Sequence, residues 1–178
     1  MEEIEVPTEQ VQEEIHHHAE HSAERWISGV ALSSAIFAAF AAVSAMLSGH
    51  YSNEAMLEQI RASDSWAYYQ AKGVKAAVLG SKMDLLTAEG RKVSDTDREK
   101  FGEYKKDQQE ISDKAKELEK SSREFLDHHV VFARSVTLFQ VAITVAAISV
   151  LTRRRKFWYV GIVLGLLGAL SFVRGFLL

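Results

Sequence analysis

The stretch Ile27–Ser48 decides the fold, and it reads ISGVALSSAIFAAFAAVSAMLS without one charged side chain. A helix of about 20 apolar residues crosses a bilayer core about 30 Å thick. Helices of soluble proteins keep one polar face, so an uncharged run of this length is typical of a transmembrane helix. The sequence therefore predicts a first transmembrane helix over residues 26–48, with Trp26 at one membrane interface.

Two further apolar segments complete the part of the chain that we expect in lipid. One takes in residues 131–152, and the other takes in residues 157–178. A soluble chain of 178 residues is too short to enclose three such helices in its core. The pattern therefore predicts an all-α membrane protein with three transmembrane helices, and membrane lipid is its first expected partner.

The second and third apolar segments are joined by four consecutive cations, Arg153, Arg154, Arg155 and Lys156. Short loops rich in Lys and Arg stay on the cytoplasmic side of a membrane. We therefore predict a cytoplasmic turn over residues 153–156. Three crossings then place the N-terminus in the cytoplasm and residues 49–130 on the extracytoplasmic side.

The N-terminal lead-in, residues 1–25, is acidic and rich in histidine. Residues 1–24 hold eight acidic side chains and no Lys or Arg, so they lack the positive region of a secretory signal, and we expect a retained anchor. His17 and His21 are four residues apart, which on a helix would make them weak candidates for zinc ligands. The alternative is a solvated amphipathic helix, and we assign no metal and no cofactor to the chain.

Residues 49–130 predict a long extramembrane hairpin of two antiparallel helices that resembles a coiled coil. Apolar residues of the first arm follow the 3-4 spacing of a coiled-coil seam: Leu57, Ile60, Ala67, Ala71, Val74, Val78, Leu85 and Ala88. The second arm has its own seam at Phe101, Tyr104, Ile111, Ala115, Leu118, Ser122 and Phe125. Gly90 suits the C′ position, and Thr96 with Glu99 forms a capping box, which predicts a tip near residues 90–96. We expect each arm to continue into its transmembrane helix without a break.

Four aromatic side chains of the hairpin exceed what one seam needs: Trp66, Tyr68, Tyr69 and Phe101. Large aromatic residues exposed beside a seam usually mark a surface for a partner. We therefore predict self-association through this patch. Packing within the hairpin and a site for a small ligand remain as alternatives.

The third apolar segment presents a face of small residues, Gly161, Gly165 and Gly168. Such faces let helix backbones approach closely in membranes. We assign these glycines to helix packing and include them in the predicted oligomer interface, with the alanine-rich first segment as another packing partner. Simple tolerance of glycine in membrane helices is the alternative.

Gln140 is the one strongly polar side chain deep in the second apolar segment, and Thr137 and Thr144 lie in neighbouring turns. Polar groups at this depth usually hydrogen-bond to other helices. They also line substrate paths in transport proteins. These three residues are therefore candidates for an interhelical contact or for the lumen of an oligomeric channel.

His128 and His129 lie where the second arm of the hairpin meets its apolar segment, and Arg134 lies about one turn further along. A long Arg side chain in this position reaches back to the lipid headgroups. We expect these residues to anchor the interface, and a proton or ion path is the alternative.

Several classes of function are disfavoured by the sequence. The chain has no cysteine, which excludes disulfides and thiolate metal sites. Its net charge of −3 argues against nucleic-acid binding. It contains no phosphate-binding glycine loop, nucleophile elbow or HExxH motif, so we predict that it is not an enzyme. The sequence favours a self-associating membrane scaffold, with an oligomeric channel or transporter as the alternative and an unidentified protein partner at the hairpin as a third hypothesis.

The stretch Ala62–Lys72, ASDSWAYYQAK, resembles the signature of a bacterial membrane family, the domain-of-unknown-function family 4337. Ser48–Ala55 (SGHYSNEA) and Phe139–Ile143 (FQVAI) are similar to further parts of that family, so the resemblance extends along nearly the whole chain. The family usually has an isoleucine before the second lysine of its motif, and the chain departs from that pattern with Gly73-Val74-Lys75. The resemblance implies a multi-pass protein of the bacterial inner membrane and supplies no activity.

Overall fold

The computed structural model describes residues 25–178, which form three α-helices. Helix α1 comprises Arg25–Ala88, α2 comprises Asp95–Thr152 and α3 comprises Arg155–Arg174. No strand occurs in the described part of the chain, which confirms the predicted all-α class. Each of the three helices is long and apolar enough to cross a membrane.

Helix α1 runs without interruption from the first apolar segment into the charged region that follows it. Its 64 residues contain no proline, because the one proline of the chain is Pro7. Gly49, at the junction of the two regions, stays helical and does not end the helix. Helix α2 is equally continuous over 58 residues. The expected continuity of both arms is therefore present in the structure.

The connection between α1 and α2 contains the predicted helix-terminating glycine. Gly90 has a φ of +68°, a left-handed conformation that glycine adopts without steric cost. The Arg91 N–H donates to Leu86 O at 2.8 Å and the Gly90 N–H to Thr87 O at 3.0 Å, the hydrogen bonds of a Schellman motif. Gly90 is thus the C′ residue that the sequence analysis expected.

The start of α2 differs from the sequence prediction. The sequence predicts Thr96 as the cap of this helix. In the structure Thr96 lies inside α2, which begins at Asp95. The capping side chain is Ser94, whose Oγ accepts a hydrogen bond from the Thr96 N–H at 3.2 Å. The predicted cap at Thr96 is therefore wrong by two residues.

The connection between α2 and α3 contains an arginine with left-handed backbone geometry. Arg153 has a φ of +51°, which is uncommon for a residue with a side chain. Arg153 N donates to Val150 O and Arg154 N to Ser149 O, so Arg153 occupies the C′ position that Gly90 occupies at the end of α1. Only two residues separate the helices, since Arg155 and Lys156 already belong to α3.

The chain divides into two compact units. The unit that we call the apolar unit contains residues 25–52 and Leu126–Leu178, and the polar unit contains Asn53–Phe125. The apolar unit packs three helices around a core whose largest fully buried side chains include Phe132, Phe139 and Ile143. The Phe37 and Phe139 rings lie 6.0 Å apart in this core.

The polar unit consists of two helical arms that run antiparallel. Lys82 Nζ lies 2.7 Å from Asp97 Oδ2 near the turn, and the Ser122 hydroxyl donates to Ala55 O at 2.8 Å far from it. The residues buried between these arms are small, among them Ala62 and Ala76 of α1 and Ala115 of α2. Such residues allow the two backbones to approach closely, and the buried apolar area is correspondingly modest.

Candidate interaction surface

The apolar stripe of α1 that the sequence analysis assigned to the hairpin seam lies on the exposed side of the polar unit. Its five largest members are between 46% and 67% exposed: Leu57, Ile60, Val74, Val78 and Leu85. The alanines of the same spacing are exposed as well. We call the set Leu57, Ile60, Ala67, Ala71, Val74, Val78, Leu85 and Ala88 the α1 stripe. The expected seam of α1 is therefore wrong, although the second arm buries its expected seam face at Ala115 and Ser122.

The structure uses a second repeat on the opposite face of α1 for the contact with α2. Ala55, Ala62, Tyr69, Ala76 and Met83 follow one another at intervals of seven residues and are buried or half-buried. A seven-residue repeat keeps one face of a helix against its neighbour. Two such repeats coexist in this helix, and the one that contains the buried residues Ala55, Ala62 and Ala76 faces α2.

Trp66 and Tyr69, two residues of the predicted aromatic patch, pack inside the polar unit. Trp66 Nε1 donates to Glu119 Oε1 at 2.8 Å, and its ring meets the Tyr69 ring edge-on at 5.5 Å. Gln108 Nε2 donates to Tyr69 O at 3.3 Å. These contacts correspond to the alternative of packing within the hairpin.

The other two aromatic residues have different environments. Phe101 is half-buried, and its ring lies beside Gly80, where an added Cβ would approach it to 3.3 Å. Tyr68 is 53% exposed and lies next in sequence to Ala67 of the α1 stripe. Of the four predicted aromatic residues, Tyr68 is the one whose exposure suits contact with a partner.

Lys72 is held between the two arms of the polar unit. Its Nζ lies 2.6 Å from Asp107 Oδ2 and within 5.5 Å of the ring centroids of Tyr68 and Tyr104. The hydrogen bond that Lys72 donates to Asp107 raises the pKa of Lys72 above the ordinary value of 10.5, against the opposing effect of desolvation. This ammonium therefore stays charged to a higher pH than a free lysine and links α1 to α2 through Asp107.

The outer surface of α2 in the polar unit is charged, in contrast to the α1 stripe. Its exposed positions include Lys106 with Glu110 at 3.7 Å and Lys120 with Glu124 at 3.6 Å, both four residues apart. Pairs of this kind are typical of helix faces in water. Water is therefore the expected environment of this surface, whereas the α1 stripe exposes aliphatic carbon.

The three glycines of α3 are buried within the apolar unit. An added Cβ on Gly161 would lie 3.0 Å from Ala142 O, and one on Gly168 would lie 3.0 Å from the Phe139 ring. Gly165 is packed against the Phe37 ring of α1. The glycine face thus brings α3 against the other two helices of the same chain, and the proposed oligomer interface gains no exposed surface from it.

Gln140 has a different setting from the buried glycines. It is half-buried, and Thr137 and Thr144, one turn away on either side, are exposed. The threonine hydroxyls donate to the carbonyl oxygens four residues earlier, Ala133 O and Gln140 O. Within residues 25–178 the Gln140 carboxamide makes no hydrogen bond. An amide in this position can bond to a helix from another chain.

A cluster of histidine and aromatic residues occupies one end of the apolar unit, and the sequence analysis identified it only in part. The Tyr51 ring stacks on His128 at 4.7 Å and on Phe132 at 5.6 Å. His128 Nδ1 lies 3.0 Å from Gly175 O, and His129 Nδ1 lies 2.9 Å from Ser48 O. Carbonyl oxygens only accept, so Nδ1 of both rings carries the proton. These contacts join α1 and α2 to each other and to Gly175, which follows α3, and the predicted anchoring at a membrane interface stays a prediction.

The opposite end of the apolar unit carries the basic turn. The Arg155 guanidinium lies 5.5 Å above the Trp26 ring, and Trp158 Nε1 donates to Ser33 Oγ at 3.2 Å. The four cations of residues 153–156 are exposed, and no ion pair involves them in the described chain. Unpaired cations beside interfacial tryptophans suit a surface of lipid headgroups.

No group of three metal-ligating side chains occurs in residues 25–178. His17 and His21 lie outside the described residues. A surface groove of about 440 Å³ in the polar unit is lined by charges of both signs, such as Glu58 and Lys114. Four glutamates and two lysines line it, so acidic side chains are in excess, and none of the lining residues assigns a ligand.

The comparisons with known proteins assign the chain to a family and give no activity. The model of one family, described as a domain of unknown function (DUF4337), matches residues 26–178. No match was found among curated proteins or among solved structures. The matched range takes in all three helices, from Trp26 to the last residue, and the chain therefore belongs to the DUF4337 family.

Proposed function

We propose that this chain is a non-enzymatic integral membrane protein that self-associates and acts as a structural scaffold. The observation that carries the proposal is the exposed α1 stripe. Apolar surface in water is unfavourable by about 25 cal/mol per Å², and monomeric proteins rarely expose long continuous apolar strips. A partner that covers the stripe removes this cost.

Lipid does not account for the α1 stripe as well as a protein partner does. The polar unit has charged pairs such as Lys72–Asp107 and Lys82–Asp97 along the same helical arms. A helical region with this many charges is unfavourable in the hydrocarbon core. We therefore place the polar unit outside the membrane as an antiparallel hairpin, and its stripe in contact with protein.

The apolar unit supplies the anchor in this proposal. Its three helices meet the length and hydropathy of transmembrane helices. The exposed cations of residues 153–156 favour a cytoplasmic turn, which puts the hairpin on the extracytoplasmic side. With the resemblance described above, we propose the bacterial inner membrane as the location.

Gln140 gives a second, weaker indication of a neighbouring chain. Its amide makes no hydrogen bond in residues 25–178, and polar side chains in membrane helices usually bond to another helix. Thr137 and Thr144 lie on the same side, which is also what a lumen shared by several chains would need. Liposomes discriminate the two functions: a scaffold gives no solute flux, and a channel gives flux that Gln140→Leu alters.

The scaffold proposal is tested by charging the α1 stripe. We expect Val74→Lys with Val78→Lys to reduce the assembly size measured by chemical cross-linking in native membranes. Both valines are more than 60% exposed, so the lysines face water in a single chain and the fold is kept. The matched control is Gln59→Lys with Thr87→Lys, which adds the same charge to exposed positions of α1 away from the stripe.

The cross-linking experiment has three distinguishable outcomes. Loss of cross-linked species in the valine pair, with wild-type behaviour of the control pair, supports the proposal. Equal assembly of both pairs and wild type would show that the stripe is not the interface. A wild-type chain that is monomeric at every density would remove self-association altogether.

A further inference from the structure

We infer that the partner on the α1 stripe is the same stripe of a second copy, and that the two helices form a parallel, in-register coiled coil. This inference rests on the proposed function and specifies its interface. It concerns only α1 within the polar unit, whose other face is occupied by α2 of the same chain. Three features favour this pair: the heptad spacing of the α1 stripe, the charged outer side of α2, and the common orientation of copies anchored in one membrane.

The repeat extends over more than four heptads, with apolar residues at eight of its ten core positions and Asp64 and Ser81 at the other two. Its first core series, the a positions, is Leu57, Asp64, Ala71, Val78 and Leu85. Its second, the d positions, is Ile60, Ala67, Val74, Ser81 and Ala88. All ten positions are exposed. A strict 3-4 repeat is the sequence of a helix that packs along another helix, and at 1.5 Å per residue it extends over about 45 Å.

In the described polar unit, the surface that best complements the α1 stripe is the α1 stripe of a second copy. The exposed side of α2 is lined by charged residues such as Glu103, Lys116 and Arg123, which match aliphatic side chains less well than a second apolar stripe does. The apolar residues of α2, such as Phe101 and Ala115, are already in contact with α1. A stripe that faces its own copy is self-complementary, as two-fold symmetric interfaces require.

The direction of the pair follows from the proposed membrane anchor. Copies inserted in one bilayer with the same orientation have α1 running in the same direction. Equal heights above the membrane then place each residue of the stripe opposite the same residue of the second copy. Such a pair is parallel and in register.

This register brings Asp64 of one copy opposite Asp64 of the other. A polar residue at one core position specifies register and weakens the pair. Like charges in opposing positions repel, so the pair is weaker than its aliphatic residues alone would make it. We expect Asp64→Asn to tighten association several-fold, and we expect Glu103→Gln, an equal change on exposed α2, to have no effect.

The absence of cysteine makes a direct test of the geometry straightforward. Val74→Cys and Val78→Cys each place a thiol at a core position of the full-length chain. In a parallel in-register pair the two identical cysteines come within disulfide distance, a Cα–Cα separation of roughly 4–7 Å. Mild oxidation of native membranes is then expected to give covalent dimers of both variants, and Gln59→Cys, exposed on another face of α1, is expected to stay monomeric.

The result distinguishes this inference from the broader proposal. Same-residue disulfides at positions 74 and 78 but not at 59, with tighter association of Asp64→Asn, support the parallel pair. If chemical cross-linking still detects assemblies but Val74→Cys and Val78→Cys form no disulfide dimers, the parallel in-register geometry is wrong. The scaffold proposal is then retained. Absence of any assembly would overturn both.

Discussion

At the scale of single residues, Lys72 shows how one partly exposed cation can link two helices. Its ammonium contacts Asp107 and lies near two tyrosine rings, so a shift of either helix breaks several interactions together. Lys72 was not among the residues predicted to be important from the sequence. The sequence could not identify Lys72 because the partner carboxylate lies 35 residues away and depends on the register of the arms.

The raised pKa of Lys72 gives a pH-dependent prediction. Protonated Lys72 stabilises the folded state fully below its ordinary pKa of 10.5, and this contribution is lost as the pH rises through the higher folded-state pKa. We expect wild-type protein in detergent to lose more stability at alkaline pH than Lys72→Met does. Melting followed by circular dichroism from about pH 8 to about pH 12 measures the difference. Asp107→Asn serves as the control, because it removes the main cause of the shift and should shrink the alkaline loss as well.

Trp66 supports a second prediction at this scale. Trp66→Phe keeps most of the packing and removes the hydrogen bond to Glu119, which should destabilise the polar unit by about 1–2 kcal/mol. Hydrogen exchange of the α1 amides around residue 66 measures this loss. In the double variant with Glu119→Ala the two losses should not add, since both remove the same bond. Additive losses would show that the bond contributes nothing.

At the scale of helices, the sequence predicted the elements well and the contact between them poorly. Lengths, continuity and the Gly90 turn follow from the absence of proline, the apolar runs and local backbone chemistry. The seam of α1 could not be chosen in the same way, because two seven-residue repeats lie on opposite faces of that helix. The larger aliphatic residues favoured the wrong face, and the small residues at Ala55, Ala62 and Ala76 form the contact.

Two glycine-to-alanine substitutions, at Gly161 and at Gly102, are expected to change the stability of the protein in opposite directions. Gly161→Ala adds a Cβ that meets the Ala142 carbonyl at 3.0 Å, and backbone cannot move aside, so we expect a loss of about 1–3 kcal/mol. Gly102 of α2 has nothing within 4 Å of an added Cβ. Gly102→Ala should therefore stabilise the helix by about 1 kcal/mol. Melting temperatures in detergent compare the two variants, and two changes of equal sign would contradict the packing described for α3.

Arg153 gives a second test at this scale. Its left-handed backbone costs free energy that glycine would not incur, on the order of 1 kcal/mol. Arg153→Gly should raise the melting temperature of the apolar unit and leave three cations in the turn. Arg153→Ala removes the same charge without relieving the backbone, and it is the matched control. If both variants melt alike, the conformation of this residue does not limit stability.

At the scale of the whole molecule, the membrane orientation is the expectation with the widest consequences. Single cysteines at Glu89, near the hairpin turn, and at Thr152, beside the basic turn, should react with an impermeant maleimide from opposite sides. We expect Glu89→Cys to be labelled in intact spheroplasts and Thr152→Cys only after permeabilisation, because the cations of residues 153–156 hold their turn in the cytoplasm. The reverse pattern would invert the topology and leave the fold unchanged.

The exposed α1 stripe has a consequence for how pairing depends on abundance. Anchoring restricts the chains to two dimensions, which raises their local concentration and lets a weak contact be occupied. The fraction of paired chains then follows the number of copies per unit area of bilayer. Adding lipid at constant protein would separate the pairs, and a rise in synthesis would join them, so surface crowding itself would set the state of this protein.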